Sequence, residues 1–462
     1  MLDIKEAITD FSTALRGTLI GRDHPDYDAA RKLYNGMIDK HPLLIARCAD
    51  VADVIAAVKF GRDQGLEIAI RGGGHNGPGL ASVSGGLVID LSEMKGVRVD
   101  PANRTVRVGP GCSSGDVDHA THAFGLAVPF GIIASTGVGG LTLGGGTGYL
   151  TRKHGLTIDN LLEADVVLAD GSFVTASKDR NADLFWALRG GGGNFGVVTS
   201  FLFQAHPVSM VLGGPLAWPA SQAEEVMRAF RDFVPGAPED LGLWIGLQTV
   251  PSAAPFPEQF WGHGICLVMV CYNGDEVEGR KALAPLLDKV PPPALDWTGM
   301  MPFPAVQAMF DPLLPPGLQM YWRGDFIHDV PDAAITAHVA EAAKSPSELS
   351  LMHLYPLDGA AARVGGPDTA WSARDARWSM VIVGCDPDPG KAGAVTEWTK
   401  TYWDAVHPFN ESGGYSNFMM DDEGDDRVRA SYGDNYPRLA EIKNKYDPDN
   451  LFHVNQNIRP SA

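Results

Sequence analysis

One histidine stands at the end of three consecutive glycines in the run Arg71-Gly-Gly-Gly-His-Asn-Gly-Pro-Gly79. The preceding Leu66-Glu-Ile-Ala-Ile-Arg71 alternates and reads as a short strand, so His75 is expected on a loop that leaves a strand end. Gly72, Gly73 and Gly74 put no Cβ between the main chain and a ligand, and successive N–H groups can turn toward an anion such as a pyrophosphate. A neutral imidazole beside that ligand is a nucleophile. Nine residues alone read equally well as a surface turn with an incidental histidine, and the rest of the chain decides.

Seven glycines fall between Gly137 and Gly148, among them Gly139, Gly140, Gly145 and Gly146. That density is too high for a helix or strand and predicts a wrapped loop with its N–H groups facing a polyanion. The Gly-Lys-Ser/Thr ending of a P-loop is missing, and no clean βαβ unit opens on a dinucleotide fingerprint. A third cluster, Arg189-Gly-Gly-Gly-Gly-Asn-Phe-Gly196, runs straight into a predicted strand at Val197-Val-Thr-Ser-Phe-Leu-Phe203. Three such loops between residues 71 and 196 point to one extended ligand.

The elements that must position these loops are short. Residues 1 to 44 read as a helical lead-in with a turn at Tyr34-Asn35-Gly36. Asp50 caps a predicted helix with Val51, Val54, Ile55 and Val58 on one face, and Ser113 with Asp116 resembles a capping box. Glu163 to Ser177 reads as a hairpin through Asp170-Gly171, followed by a short helix from Asn181 to Leu188. Beyond His206-Pro207 the glycine tracts vanish. Strands such as Leu243–Gln248, Ile265–Cys271 and Trp378–Val383 alternate there with helical stretches near Gln222–Phe233, Val277–Val290 and Asp332–Ala343. This pattern predicts a second domain, a sheet with helices over one side. The division is residues 1–206, 207–412 and a return of 413–462 to the first domain. The overall class is α+β.

Composition narrows the function. Lys and Arg total 37 against 56 Asp and Glu, and the net charge of −19 repels a phosphate backbone, so nucleic acid is not expected as a partner. The apolar runs are too short for a membrane span, and the acidic, amphipathic N-terminus is unlike a secretory signal. The five cysteines are scattered without a CxxC pair, which suggests no metal site, no disulfide framework and a reducing cytoplasm.

Six ordered blocks carry a resemblance over nearly the whole chain: RGGGHN at 71–76, TGVGGLTLGGG at 136–146, RKHGLTIDNL at 152–161, GGGGNFGVVT at 190–199, YSNF at 415–418 and YDPDNLFHVNQNI at 446–458. Together they resemble the berberine bridge enzyme-like branch of FAD-linked oxidases, in the vanillyl-alcohol oxidase / p-cresol methylhydroxylase fold. The resemblance implies a two-subdomain FAD-binding domain and a substrate domain whose antiparallel sheet, covered by helices, roofs the flavin. It implies covalent FAD, joined through its 8α-methyl carbon to His75. It also implies cofactor contacts from Asn76, Gly79, Ser135, Thr136, Thr142, Asp159, Asn160, Val198, Asn455 and Gln456, beside the loop glycines and Gly196. Arg71 is the main candidate cation for the diphosphate. Many relatives tie the flavin a second time through a cysteine at the place held here by Ile133, so no cysteinyl link is expected. Cys112, in another block, reads as a small buried residue. Thr136 resembles the position that governs oxygen access, and its Val-like size favours an oxidase.

The implied reaction is hydride transfer from a substrate C–H to the flavin, with the neighbouring hydroxyl proton lost to a base. Tyr415 matches the family's tyrosine in that role, and Asn417 shares its face if the segment is extended. A phenol is a weak base at neutral pH unless a hydrogen bond, a cation or concerted transfer lowers the demand. Thr147 stands where relatives often carry an aromatic; Tyr149 is the candidate substitute. In Gln319-Met-Tyr-Trp-Arg-Gly-Asp325, aromatics mixed with Arg323 are a candidate wall of the substrate pocket. The expectation is an FAD oxidase of an alcohol, hemiacetal or natural-product hydroxyl that takes a small-molecule substrate and makes H2O2 from O2. Alternatives are a dehydrogenase with another acceptor and a flavoprotein that sequesters a reactive small molecule.

Overall fold

The computed structural model describes residues 4–410 and 413–461, so the expected boundary at residue 412 lies outside the described residues. The first lobe is built on two sheets. In the smaller, Leu44–Arg47, Leu87–Asp90 and Ile68–Arg71 run parallel. The helix Val51–Asp63 forms the crossover, with the Asp50 carboxylate accepting from the N–H groups of Ala52 and Asp53. All three strands end on charge. Asp90 lies between the other two strand ends, 2.9 Å from Arg71 Nη2 and 3.6 Å from Arg47 Nε. The His75 loop leaves this carboxyl edge, the side on which parallel sheets place ligands. Thr18–Gly21 adds an antiparallel edge strand where the sequence predicts only helical lead-in. Its Ile20 is wholly buried, a tertiary contact that local pattern does not reveal.

The second sheet is antiparallel, in the order Val97–Asp100, Thr105–Val108, Val197–Gln204, Leu161–Val167, Phe173–Ser177. The hairpin through Asp170-Gly171 forms as expected, with Gly171 at φ 81°. The capping box at Ser113 and Asp116 opens the helix Ser114–His122. The glycine-rich block departs from expectation, because Val138–Gly144 is a short helix and not a wrapped loop. Burial of Val138, Leu141 and Leu143 in the lobe's core offsets the entropy that its glycines lose. Gly145 and Gly146 then end the helix at φ 132° and 80°.

The remaining large sheet is antiparallel, in the order Leu295–Asp296, Met210–Pro219, Gly264–Tyr272, Leu241–Thr249, Leu351–Pro356, Trp378–Asp386, Gln319–Ile327, with Gly299–Pro302 also paired to Met210–Pro219. Alternation sorts its two faces. Leu243, Ile245 and Leu247 join Leu354, Met380 and Ile382 beneath the helices Ala223–Phe233, Asp332–Ala342 and Ala392–Val406. Trp244, Tyr355 and Val381 point the other way, onto Ala127, Tyr149 and Leu150 of the first lobe. No helix among the described residues is long and apolar enough to cross a membrane.

Two buried cations fasten the parts. Lys443 Nζ donates to the carbonyls of Asn194 and Phe452 and to Asp447, which ties the C-terminal helix Tyr436–Tyr446 to the third glycine loop. Arg152 is 3% exposed, yet its guanidinium donates to both carboxylate oxygens of Asp358 and to the carbonyls of Val234, Ala237, Pro238 and Leu241. Arg152→Met leaves Asp358 and four carbonyls short of a donor. Denaturant unfolding is therefore expected to show a loss of about 3–5 kcal/mol; a loss below about 1 kcal/mol contradicts the role.

Candidate cofactor and substrate site

The three glycine loops converge on a cavity between the first lobe and the bare face of the large sheet, with about 2470 Å³ of space between its walls, part of it open to solvent. Two loops touch main chain to main chain. A Cβ on Gly73 would lie 2.6 Å from Gly137 Cα, and one on Gly137 would lie 2.4 Å from Gly73 N. These glycines are required by each other before any ligand is considered. By contrast, Gly140 and Gly193 line the cavity and a Cβ on either would meet no heavy atom within 4 Å. Their backbone is open to an occupant.

His75 lies in the cavity wall, its ring stacked on Tyr34 with centroids 3.8 Å apart and planes 17° from parallel. Tyr34 is itself fixed, its hydroxyl donating to the Leu314 carbonyl at 2.6 Å. Burial lowers the His75 pKa from 6.5 to about 4, although the Ser135 backbone acts the other way. The imidazole is therefore neutral at pH 7 and keeps its nucleophilic lone pair.

Tyr415 closes one side of the cavity. Its Oη accepts hydrogen bonds from Gly146 N and from Asn417 Nδ2, both at 2.8 Å. The segment is not extended as expected, since Ser416–Phe418 is a tight turn. Asn417 still reaches the phenol because Gly144 has no side chain: a Cβ there would lie 2.4 Å from Asn417 Oδ1. Burial pushes Tyr415 up to about 12, while the Gly146 amide and Asn417 both oppose the rise.

Of the remaining expected contacts, Gly72, Gly74, Asn76, Thr136, Gly139, Gly196, Val198, Asn455 and Gln456 line the cavity. Asn455 donates through Nδ2 to the Phe452 carbonyl and leaves its buried Oδ1 without a partner. The others stand behind the wall. Arg71 is turned to Asp90 and does not line the cavity, so its charge is spent within the sheet. Asp159 is held by both terminal nitrogens of Arg374, and Asn160 bridges the His154 and Leu156 carbonyls. Gly79 shapes a turn at φ 71°, and Ser135 is exposed beside the cavity. Thr142 is buried with its hydroxyl unpartnered, and Gly145 and Gly146 support Tyr415.

Two expectations about aromatics change. Tyr149 packs into the interlobe core and not into the cavity. In Gln319–Ile327, Met320 and Trp322 face the cavity, while strand alternation turns Arg323 outward to the Tyr321 hydroxyl and Asp422. Sequence reasoning missed Tyr34, His353 and Tyr355 in the walls. Strand alternation along Leu351, His353 and Tyr355 was the available signal for the last two.

Comparison with known proteins agrees with this geometry. The FAD binding domain family matches residues 42–177, and the family described as berberine and berberine like matches residues 414–459. A FAD-linked oxidoreductase of Dictyostelium discoideum is 31% identical over 98% of this chain and 97% of its own. The (R)-6-hydroxynicotine oxidase of Paenarthrobacter nicotinovorans is 41% identical over 46% of each chain. Among solved structures, 6-hydroxy-D-nicotine oxidase from Arthrobacter nicotinovorans superposes with a TM-score of 0.86 at 28% identity, covering 97% of this chain and 98% of that one.

The residues present fit FAD. The cavity is long, its glycine loops expose backbone donors, and unpartnered polar atoms line it at Asn455 Oδ1 and Tyr432 Oη. No Lys or Arg lines it among the described residues, so main-chain amides must hold the diphosphate. The glycines separate two effects. Gly137→Ala is expected to destabilise the apoprotein by about 1–3 kcal/mol through the clash with Gly73. Gly140→Ala leaves apoprotein stability equal or slightly higher, yet lowers the flavin-to-protein ratio. Melting curves and flavin absorbance check both, and full flavin content in Gly140→Ala contradicts the placement.

Proposed function

We propose that this chain, which belongs to the berberine-like family of FAD-linked oxidoreductases, oxidises the C–OH group of a small molecule to a carbonyl and returns the electrons to O2 as H2O2. The observation that carries this reading is the Tyr415 hydroxyl, held in the cavity wall by two N–H donors and by no acceptor other than what enters the cavity. Bound FAD supplies the hydride acceptor. Tyr415, as phenolate, takes the substrate's hydroxyl proton, and the Gly146 amide and Asn417 stabilise the charge it carries before transfer. Asn455 and Gln456 orient the ring from the C-terminal segment. Thr136, in the wall and small, leaves room for O2. Relatives named as chitooligosaccharide oxidase and hydroxynicotine oxidase support an oxidase.

We infer that His75 holds the flavin covalently through its 8α carbon, and alone. Its neutral imidazole needs no base to act as nucleophile. Ile133 occupies the wall where a second thiol would be needed, and Cys112 lies buried outside the cavity with its thiol pushed up to about 11.

Tyr415→Phe is expected to slow anaerobic flavin reduction by roughly 10²–10⁴-fold in stopped flow. Because only the phenolate accepts a proton and burial holds the pKa near 12, the wild-type rate should climb with pH across the alkaline range without levelling below about pH 10. A plateau lower down, or an unchanged rate in the variant, removes Tyr415 as the base. For the tether, flavin in His75→Ala should separate from protein on acid precipitation. Flavin that stays in the pellet contradicts the link.

A further inference from the structure

The roof of the cavity has a chemical character of its own. Phe310, Trp322, Leu349, Leu351, Tyr355 and Val381 form most of it. No Lys, Arg or Asp lines the cavity among the described residues, and the one carboxylate, Glu348, is exposed and accepts from Ser252 N and Oγ. Against a net charge of −19, such a wall offers an anionic substrate no partner and a repulsive approach. A saccharide, with a hydroxyl on nearly every carbon, would lose water over apolar side chains and leave most of those hydroxyls unpaired.

Aromatic rings run without a break from the proposed base across the roof. Tyr415 meets Phe418 at 4.9 Å between centroids, Phe418 meets Tyr355 at 6.1 Å, His353 meets Trp244 at 4.2 Å and Trp244 meets Phe310 at 5.6 Å. Tyr355 and His353 are joined edge to face at 5.7 Å. Offset and edge-on contacts of this kind extend readily to a planar ring placed among them.

One buried polar group in this wall has an unused valence. His353 Nδ1 is hydrogen-bonded to the Tyr355 hydroxyl at 2.7 Å, and its Nε2 has no partner although the residue is 6% exposed. The ring is seated opposite Gly246, where a Cβ would come within 2.6 Å of His353 Cδ2. Burial keeps the imidazole neutral by lowering its pKa. The Tyr355 hydroxyl can donate to Nδ1 or accept from it, so Nε2 serves as donor or acceptor by changing tautomer.

We propose that the substrate is an uncharged or weakly basic aromatic or heteroaromatic ring compound, neither an oligosaccharide nor an acid, and that His353 is the specificity-determining residue that hydrogen-bonds its heteroatom. This rests on the alcohol-oxidising reading above. The site provides a slot for a ring, a base at one end and one adaptable hydrogen bond on the roof.

Four probes test it on the flavin-loaded enzyme, with binding read from perturbation of the flavin spectrum: 1-phenyl-1,2-ethanediol, mandelate, cellobiose and ethylbenzene. The diol should bind at least about tenfold more tightly than mandelate or cellobiose. His353→Leu should weaken the diol about tenfold and leave ethylbenzene unchanged, and His353→Gln should restore part of the loss. Tyr355→Phe, which keeps the imidazole but frees it, should give a smaller loss in the same direction. Cellobiose or mandelate binding as tightly as the diol overturns the proposal, as does an equal loss for ethylbenzene. Diol binding with the stated His353 dependence but no flavin bleaching upholds the recognition and refutes the oxidation; bleaching by cellobiose alone does the reverse.

Discussion

The site depends on a contact between two glycines. Gly73 and Gly137 bring their main chains so close that neither tolerates a Cβ. Gly137 also bridges Ser113, and Val138 N donates to the Cys112 carbonyl, so the helix Val138–Gly144 is anchored where the His75 loop rests. From that contact the rest follows. The loop can leave the strand Ile68–Arg71 and present His75 to the cavity, and the helix can end at Gly145 and Gly146 under Tyr415. Sequence clusters of glycine thus serve two physical purposes here, close approach of protein to protein and open backbone for a ligand.

Neutrality is the second constraint. The cavity recruits no Lys or Arg among the described residues, and its imidazoles are held uncharged by burial. The charged pairs lie one layer back, Arg71 with Asp90 and Arg374 with Asp159, where they fix strand ends and turns. Such pairs determine shape while the walls stay apolar, which suits a flavin ring and a ring substrate better than a charged one.

Much of this was legible in the chain. Periodicity and caps located the Asp50 helix, the Asp170-Gly171 hairpin and the helices over the large sheet, because in each of these local preference and tertiary packing agree. The Val138–Gly144 helix was not, since its glycines argue against a helix and only core burial of Val138, Leu141 and Leu143 overrides them. Family-like blocks pointed to His75, Tyr415 and the glycine loops, all of which the fold brings to one cavity. They also pointed to Arg71, Asp159 and Asn160, whose polar groups are consumed within the protein. His353, Tyr355 and Tyr34 come from distant segments with no motif of their own, so only the folded sheet shows that they meet the site.

The central claim is that His75 stands in the wall of the FAD site and carries the cofactor. Trypsin cuts after Arg71 and Lys95, and the peptide between them holds His75 as its one histidine. Mass spectrometry of the digested flavin-loaded protein should find that peptide heavier by one FAD, with fragment ions placing the addition on His75. An unmodified peptide, or the added mass on the peptide that contains Cys112, would contradict the account.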